Sequence, residues 1–315
     1  MMRRLLAAFA LLLATSALAE APKELNFGII STESTQNLKA SWQPFLADME
    51  KALGIKVNAF FAPDYAGIIE AMRFNKVQLA WFGNKSAMEA VDRAQGEIFA
   101  KVLYWDGTMG YYSYLGVPQE SPIQSLDDLL RSAKTLSFGI GEPNSTSGFL
   151  VPSYYIFAVH NVDPKTAFKT IRSANHETNI VAVATRQIDA AVFASETWDR
   201  VLDRRPEIAK QVRIVWKSPL IPSDPMLWRK DLDAQVKRKV KDFFLAYGKS
   251  DPREKAILSE LKYQAFLESS NDQLKPVRLL EVYRERTKVA ADERLSAAER
   301  QQKLAELDHK LAELR

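Results

Sequence analysis

The sequence has no cysteine among its 315 residues. Disulfide frameworks, thiolate nucleophiles and a cysteine-linked lipid anchor are therefore excluded. Only three histidines are present, His160, His176 and His309, and their spacing does not match that of metal ligands. We therefore predict no metal and no other cofactor. Beyond the first twenty residues, no apolar run is long enough to span a bilayer.

The N-terminus has the pattern of a secretory signal peptide. Met1–Arg4 is basic, Leu5–Ala14 is apolar, and the small residues Ala17 and Ala19 precede Glu20. The pattern predicts cleavage after Ala19 and a location in the bacterial periplasm or outside the cell. The remaining 296 residues are enough for two domains, and their formal charge is +2 because two arginines leave with the signal. No basic stripe indicates a nucleic-acid partner.

Short apolar runs alternate with segments of helical periodicity, which predicts an α/β fold with largely parallel sheets. From about Ala234 onward the sequence loses strand character and predicts helices. The predicted strands are Glu24–Ile30, Lys56–Ala62, Gln78–Gly83, Ile98–Trp105, Tyr112–Val117, Leu136–Ile140, Asp189–Phe193 and Val212–Lys217.

Three consecutive hydroxyl residues, Ser145, Thr146 and Ser147, follow the predicted strand Leu136–Ile140 and begin a helix. The first turn of a helix has free backbone N–H groups and the positive end of the helix dipole. Hydroxyls added there form a neutral set of donors that suits a tetrahedral oxyanion. The alternative is an ordinary helix cap, because serine and threonine are common at that position.

Several ordered blocks of sequence resemble a known family, the phosphonate-binding periplasmic proteins of ABC transporters (PhnD-type solute-binding proteins). The resemblance extends over about residues 24–280 and is weak in the tail. The blocks that carry it are Leu25–Ser34, Ala62–Ile69, Met72–Lys76, Asn144–Phe149, His176–Asn179 and Trp216–Pro222.

The resemblance implies a two-lobed periplasmic-binding-protein fold of type II that closes on a ligand about a hinge. Lobe one would comprise residues 20–108 and 220–280, and lobe two residues 109–219. Residues 281–315 would form a C-terminal helical extension. The implied partners are a phosphonate ligand and an inner-membrane ABC permease, and no reaction is catalysed.

A ligand such as 2-aminoethylphosphonate has an anionic end and an ammonium end. The resemblance implies that Ser145, Thr146 and Ser147 bind the phosphonate oxygens, helped by Tyr65 and His176. A proton on both ring nitrogens would strengthen the donor role of the histidine. Without the resemblance, the tyrosine would be read as a packing residue and the histidine as a cap or surface group.

The resemblance places the ammonium end of the ligand against Glu196 and Asp224, with Tyr111 on the hinge side. Two carboxylates without a cation of their own would select aminoalkylphosphonates over plain phosphate. Without the resemblance, the acids would be read as a helix-start residue and a turn residue. Glu177 is read as a solvated carboxylate in the first turn of a helix.

Rival functions remain open at this stage. The same fold could bind phosphite, phosphate, taurine or a thiamine-related amine. An enzyme could use Ser147, His176 and Glu196, although no nucleophile elbow or metal cluster supports it. In the tail, Leu304, Leu307, Leu311 and Leu314 repeat at helical spacing after the capping box Ser296–Glu299. That helix either packs on its own domain or forms a homodimer.

Overall fold

The structure, a computed structural model, describes residues 23–314 as a mixed α/β protein. The predicted signal peptide and its cleavage site lie outside the described residues. The strands are β1 (Glu24–Ile29), β2 (Lys56–Phe61), β3 (Leu79–Trp81), β4 (Gly96–Tyr104), β5 (Gly110–Tyr111), β6 (Ser113–Pro118), β7 (Ser137–Ile140), β8 (Thr170–Ser173), β9 (Ala190–Ala194), β10 (Val212–Lys217), β11 (Ile221–Pro222), β12 (Pro225–Arg229) and β13 (Tyr263–Glu268).

The α-helices are α1 (Thr35–Leu53), α2 (Tyr65–Arg73), α3 (Asn84–Arg93), α4 (Leu126–Ser132), α5 (Pro164–Ala167), α6 (His176–Ala184), α7 (Ser195–Arg204), α8 (Pro206–Ala209), α9 (Ala234–Ala246), α10 (Pro252–Glu260), α11 (Lys275–Ala291) and α12 (Ala297–Leu314). Between β7 and α5 runs a further helical stretch, hereafter the Thr146 helix. It is π-helical over Thr146–Leu150 and Ser153–Phe157 and ends in the 3-10 turn Ala158–His160. Two other 3-10 turns are Ala133–Thr135 and Asn271–Leu274.

Two large sheets divide the molecule into two lobes. Lobe one contains a six-stranded sheet in the order β13-β4-β12-β3-β1-β2, and lobe two a five-stranded sheet in the order β10-β6-β9-β7-β8. The chain therefore leaves lobe one after β4 and returns to it at β12. The short strands β5 and β11 pair with each other where the chain crosses, with Tyr111 opposite Ile221. In such α/β lobes, ligands collect where strands end and helices begin.

The sheets are mixed, so the prediction of largely parallel sheets was wrong. Strand β1 is parallel to β2 and β3, and β7 is parallel to β8 and β9. However, β12 runs antiparallel to β3 and β4, and β6 antiparallel to β9 and β10. The physical reason is that β6 and β12 start at the crossing between the lobes and run away from it, whereas β1 and β3 run towards it.

The eight predicted strands are all present with small shifts at their ends, but the prediction of no strands after Ala234 was wrong. Residues Tyr263–Glu268 form β13, an antiparallel edge strand on β4. The polar residues of the strand, Gln264 and Glu268, are four positions apart with Phe266 between them, so they do not alternate with apolar ones, and the strand lies between two helices in the sequence. The sequence signal for this strand is consequently weaker than that of the central strands.

An aromatic core fixes the position of the strand ends in lobe one. Helix α1 begins at Ser34, whose hydroxyl accepts the Asn37 N–H at 3.2 Å, and its buried face includes Trp42. The Trp42 ring packs against Phe27 and Trp81, with centroid distances of 5.3 and 5.4 Å. Such pairs stabilise by about 0.5–1.5 kcal/mol beyond their buried area. The core thus holds Trp81 rigidly at the end of β3.

The C-terminal helices form a hairpin in which α12 packs on α11 of the same chain. Arg286 on α11 pairs with Asp308 on α12 at 2.6 Å, and Leu311 is buried between the helices. The predicted capping box is confirmed, since the Ser296 N–H donates to Glu299 at 3.0 Å. Within residues 23–314, no helix combines the length and apolarity needed to cross a membrane.

Candidate ligand site

The three predicted hydroxyl residues lie buried where the Thr146 helix begins, facing lobe one. The Ser145 hydroxyl accepts the Gly148 N–H at 3.0 Å, so this residue is a helix cap. The Thr146 hydroxyl instead accepts the backbone N–H of Lys85 at 2.8 Å, from the first turn of α3 in lobe one. Thr146 therefore contacts the opposite lobe, which a cap alone would not do.

Glycines allow the end of β7 and the start of the Thr146 helix to approach closely. A Cβ on Gly148 would lie 2.9 Å from the His176 ring and 2.9 Å from the Ser145 hydroxyl. A Cβ on Gly141 would lie only 2.4 Å from the backbone of Gly148. Both positions therefore require glycine for steric reasons. As a result, backbone and hydroxyl groups crowd into one small region.

His176 is the first residue of α6, and it connects this region to Tyr65 on lobe one. Its Nε2 lies 3.4 Å from the Tyr65 hydroxyl and 3.3 Å from that of Ser145. The Ala194 N–H donates to its Nδ1 at 3.2 Å, so Nδ1 carries no proton and Nε2 carries one. Burial, together with the nearby charge of Arg200, lowers the pKa of His176 to about 3.

His176 is therefore neutral, and the stronger donor role that a second ring proton would give does not arise. The neutral ring still donates from Nε2 to the two hydroxyl oxygens. Because the ring supplies this donor, the hydroxyl hydrogens of Ser145 and Tyr65 are free to turn towards an anion. We call Tyr65, Ser145, Thr146, Ser147 and His176 the donor end of the site.

Helix starts from both lobes surround the donor end. Helices α2 and α3 begin there from lobe one, and the Thr146 helix, α6 and α7 from lobe two. The contacts Lys85–Thr146 and Tyr65–His176 join first-turn residues across the cleft. Helix N-termini carry partial positive charge and unpaired N–H groups. This region consequently favours an anion without using a charged side chain.

Two buried carboxylates, Glu196 and Asp224, interact electrostatically with each other and are called the acid pair. Asp224 accepts the Trp81 indole N–H at 3.1 Å through Oδ2, and its carboxylate is also within hydrogen-bonding reach of the Tyr111 hydroxyl. Among the described residues, neither Asp224 Oδ1 nor Glu196 Oε2 has a hydrogen-bond partner.

The electrostatics of the acid pair are unfavourable without a cation. Burial, and then the charge of Asp224, raises the pKa of Glu196. Burial likewise raises the pKa of Asp224. Unpaired buried carboxylates are costly, and a cation placed between them would remove most of that cost. The acid pair therefore has the properties of a receptor for a positively charged group.

The acid pair does have a cation nearby, so the expectation of none was wrong. Arg200 lies one turn after Glu196 on α7, and its charge lowers the pKa of both acids. Its guanidinium is nevertheless engaged elsewhere: Nε pairs with Glu33 of lobe one, and Nη2 donates to Thr197 at 3.1 Å. Arg200 thus reduces the repulsion between the acids without occupying their free oxygens.

Three buried tyrosines, Tyr104, Tyr111 and Tyr263, wall the space beside the acid pair. The Tyr104 ring lies 5.8 Å from that of Tyr111 and 6.0 Å from that of Tyr263. Burial raises the pKa of each phenol, and the two carboxylates add to the effect, so all three stay neutral. The Tyr104 hydroxyl is buried and has no hydrogen-bond partner within residues 23–314.

Further contacts join the two lobes at the rim of the cleft. The Glu177 carboxylate accepts the Ser34 N–H at 2.9 Å and the Asn37 amide at 2.8 Å. The interpretation of Glu177 as a solvated carboxylate was therefore wrong. Arg204 pairs with Glu33 at 3.3 Å. The two lobes are thus in contact around the N-terminus of α1.

All eight site residues predicted from the sequence are buried between the lobes. They fall into the donor end and the acid pair, with Tyr111 beside the latter. The prediction missed Glu33, Arg200 and Tyr104. Two of these had a usable signal. Arg200 shares a helix face with Glu196 at i,i+4 spacing, and Tyr104 is near the end of a predicted strand.

Comparison with known proteins identifies the family of this chain. The sequence profile of the family described as "ABC transporter, phosphonate, periplasmic substrate-binding protein" matches residues 27–274. The phosphonates-binding periplasmic protein of Escherichia coli K12 is 53% identical over 295 residues, which cover 94% of this chain and 87% of that protein. The phosphate-import protein PhnD of Mycolicibacterium smegmatis is 31% identical and covers 71% of each chain.

A solved structure is similar over nearly the whole chain. It is a binding-protein component of an ABC phosphonate transporter from Pseudomonas aeruginosa, with 52% identity and a TM-score of 0.91, covering 94% of this chain and 97% of that one. These matches define a substrate-binding protein of the periplasmic type, and not an enzyme. This chain belongs to the family of periplasmic phosphonate-binding proteins of ABC transporters.

Proposed function

We propose that this protein binds phosphonates that carry a primary amine, such as 2-aminoethylphosphonate. The observation that carries the proposal is the pair of buried oxygens on Glu196 and Asp224, which have no hydrogen-bond partner among the described residues and lie in the same buried region as a set of neutral donors. A phosphonate without an amine would leave both acids unpaired. The ligand's ammonium satisfies them, while its phosphonate group takes the donors.

The donor end would bind the phosphonate oxygens through hydroxyl and backbone N–H groups. Hydrogen bonds to a charged group contribute about 1.5–3 kcal/mol each, less the cost of ordering the ligand. Because the donors are neutral, they do not add net positive charge to the cleft. The ligand's own positive end is then free to settle at the acid pair.

Binding would proceed by closure of the lobes about the crossing segments. In this proposal lobe one comprises residues 20–108 and 220–280, and lobe two residues 109–219. The ligand shifts an open–closed equilibrium by binding the closed form more tightly. The hydrogen bond between Thr146 and Lys85 is one contact that an open form would lose. The closed complex would then deliver its ligand to an inner-membrane ABC permease.

The double variant Thr146→Ala, Ser147→Ala tests the donor end. We expect at least tenfold weaker binding of both methylphosphonate and 2-aminoethylphosphonate by calorimetry, because two donors to the shared group are lost. The single variant Ser147→Ala is the control for closure, since Thr146 also holds Lys85 across the cleft. Unchanged affinity in the double variant would remove the proposed anion site.

Phosphate is the alternative ligand, because the similar protein of Mycolicibacterium smegmatis is named a phosphate-import protein. Phosphate would meet the donor end but would leave the acid pair unpartnered. A thermal-shift series with 2-aminoethylphosphonate, methylphosphonate, phosphite, phosphate and taurine separates these ligands, because a bound ligand raises the melting temperature according to its affinity. A larger shift with phosphate than with the aminophosphonate would favour this alternative.

Two further proposals concern location and assembly. We propose that residues 1–19 are a signal peptide removed after Ala19, which mass spectrometry of the exported protein would test. A homodimer through the C-terminal helix stays a prediction, although the leucines of α12 face α11 in the same chain. Deleting residues 297–315 and measuring the mass of the native protein tests it. Binding is expected to survive that deletion.

A further inference from the structure

We propose that Tyr104 is a third ligand contact in the acid pocket, and that it makes the site selective for an unsubstituted primary ammonium. This inference rests on the proposed function. It concerns a residue outside the donor end and the acid pair, on the β4 strand of lobe one. The pocket is defined here by three oxygens: Glu196 Oε2, Asp224 Oδ1 and Tyr104 Oη.

The three oxygens share one unusual property. Each is a buried polar atom without a hydrogen-bond partner among the described residues. Buried polar atoms are nearly always paired, so each such exception needs an explanation. Seven side-chain atoms of the described residues have this property, and these three belong to residues that interact electrostatically with one another. We therefore infer one missing group that would bind all three.

Sheet geometry places Tyr104 beside the acids. The Val102 N–H on β4 donates to the backbone carbonyl of Asp224 at 3.0 Å, and Tyr104 lies two residues further on the same face. Its ring contacts Tyr111, whose hydroxyl is within hydrogen-bonding reach of the Asp224 carboxylate. The charges of Asp224 and Glu196 both act on the Tyr104 hydroxyl.

The number of acceptors identifies the ligand group. A primary ammonium has three N–H donors and no acceptor. Two carboxylate oxygens and one phenol oxygen match those donors one for one. Each methyl group on the nitrogen would remove a donor and leave one buried acceptor unpaired. A quaternary ammonium would leave all three unpaired, despite its charge and the surrounding aromatic rings.

The experiment compares the wild type with Tyr104→Phe by calorimetry, using 2-aminoethylphosphonate, its N-methyl and N,N,N-trimethyl derivatives, and ethylphosphonate. For the wild type we expect about tenfold weaker binding on the first N-methylation. For Tyr104→Phe we expect about tenfold weaker binding of 2-aminoethylphosphonate, a smaller penalty for N-methylation, and unchanged binding of ethylphosphonate.

A matched variant separates binding from folding. Tyr247 is also buried, but its hydroxyl donates to Asp48 at 2.7 Å, away from the site. Tyr247→Phe should lower the melting temperature of the ligand-free protein and leave all affinities unchanged. Tyr104→Phe should not lower it, because its hydroxyl has no bond to lose.

Two results overturn the inference while leaving the proposed function intact. One is an equal loss of 2-aminoethylphosphonate and ethylphosphonate affinity in Tyr104→Phe. The other is an N-methylation penalty that Tyr104→Phe does not reduce. If instead the wild type binds ethylphosphonate as tightly as 2-aminoethylphosphonate, the proposed function fails, and the inference fails with it.

Discussion

The donor end and the acid pair differ in how well their polar groups are satisfied before any ligand is present. At the donor end, Ser145, Thr146 and His176 already hold hydrogen bonds to the backbone or to each other. At the acid pair, each carboxylate keeps one buried oxygen that no group within residues 23–314 hydrogen-bonds. The donor end is thus preorganised, whereas the acid pair carries the uncompensated free-energy cost of burying two carboxylates.

The difference teaches that the two ends contribute to recognition in different ways. A preorganised set of donors holds any suitable oxyanion at little cost in reorganisation, so it supplies affinity. An unsatisfied acid pair penalises every ligand that lacks a cation, so it supplies selectivity. Variants at the two ends should therefore change different quantities.

Glu196→Gln should have the largest effect on selectivity. Removing one partner of a buried ion pair costs about 3 kcal/mol, or roughly 100-fold in affinity. We expect that loss for 2-aminoethylphosphonate and little change for methylphosphonate, measured by calorimetry. Equal losses for the two ligands would show that Glu196 does not face an ammonium.

Glu33→Gln should have an intermediate effect, although Glu33 is proposed to contact no ligand. Arg200 would lose its main partner and turn its charge towards Glu196 and Asp224. We expect about tenfold weaker binding of 2-aminoethylphosphonate, because the arginine competes with the ammonium, and little change for methylphosphonate. Arg204→Gln removes the outer contact to Glu33, together with the bonds of Arg204 to Ser41 and Glu260, but leaves the Glu33–Arg200 pair, and it is the matched control. Equal losses of affinity for the two ligands would indicate that Glu33 acts through closure of the lobes instead.

The pH dependence of affinity should show a smaller effect. Burial raises the pKa of both acids in the free protein, and a bound ammonium would lower them again. Binding therefore releases protons, and affinity should increase several-fold from about pH 6 to about pH 8. Glu196→Gln should flatten this increase. Because the same ligand is titrated into both proteins, the ionisation of the ligand affects both curves equally and cancels from the comparison. If the affinities of the wild type and of Glu196→Gln rose equally with pH, Glu196 would not be the group that contacts the ammonium.

The sequence allowed the α/β class and most strands to be predicted, because these have local signals. The family resemblance pointed to eight candidate site residues, and the structure buries all eight. Strand direction was not predictable, since it depends on where β12 and β6 re-enter each lobe. The pairing of Glu33 with Arg200 joins positions 167 residues apart, and it exists only once the lobes meet. The tautomer of His176 was missed because it is set by the Ala194 N–H, a backbone group that the sequence does not reveal.

The central claim is that one cleft recognises a phosphonate at one end and an ammonium at the other. The most direct test is calorimetric titration of the wild-type protein with 2-aminoethylphosphonate and with ethylphosphonate, which differ only by the amine. We expect 2-aminoethylphosphonate to bind roughly 100-fold more tightly than ethylphosphonate. Equal affinity, or a preference for ethylphosphonate, would contradict it.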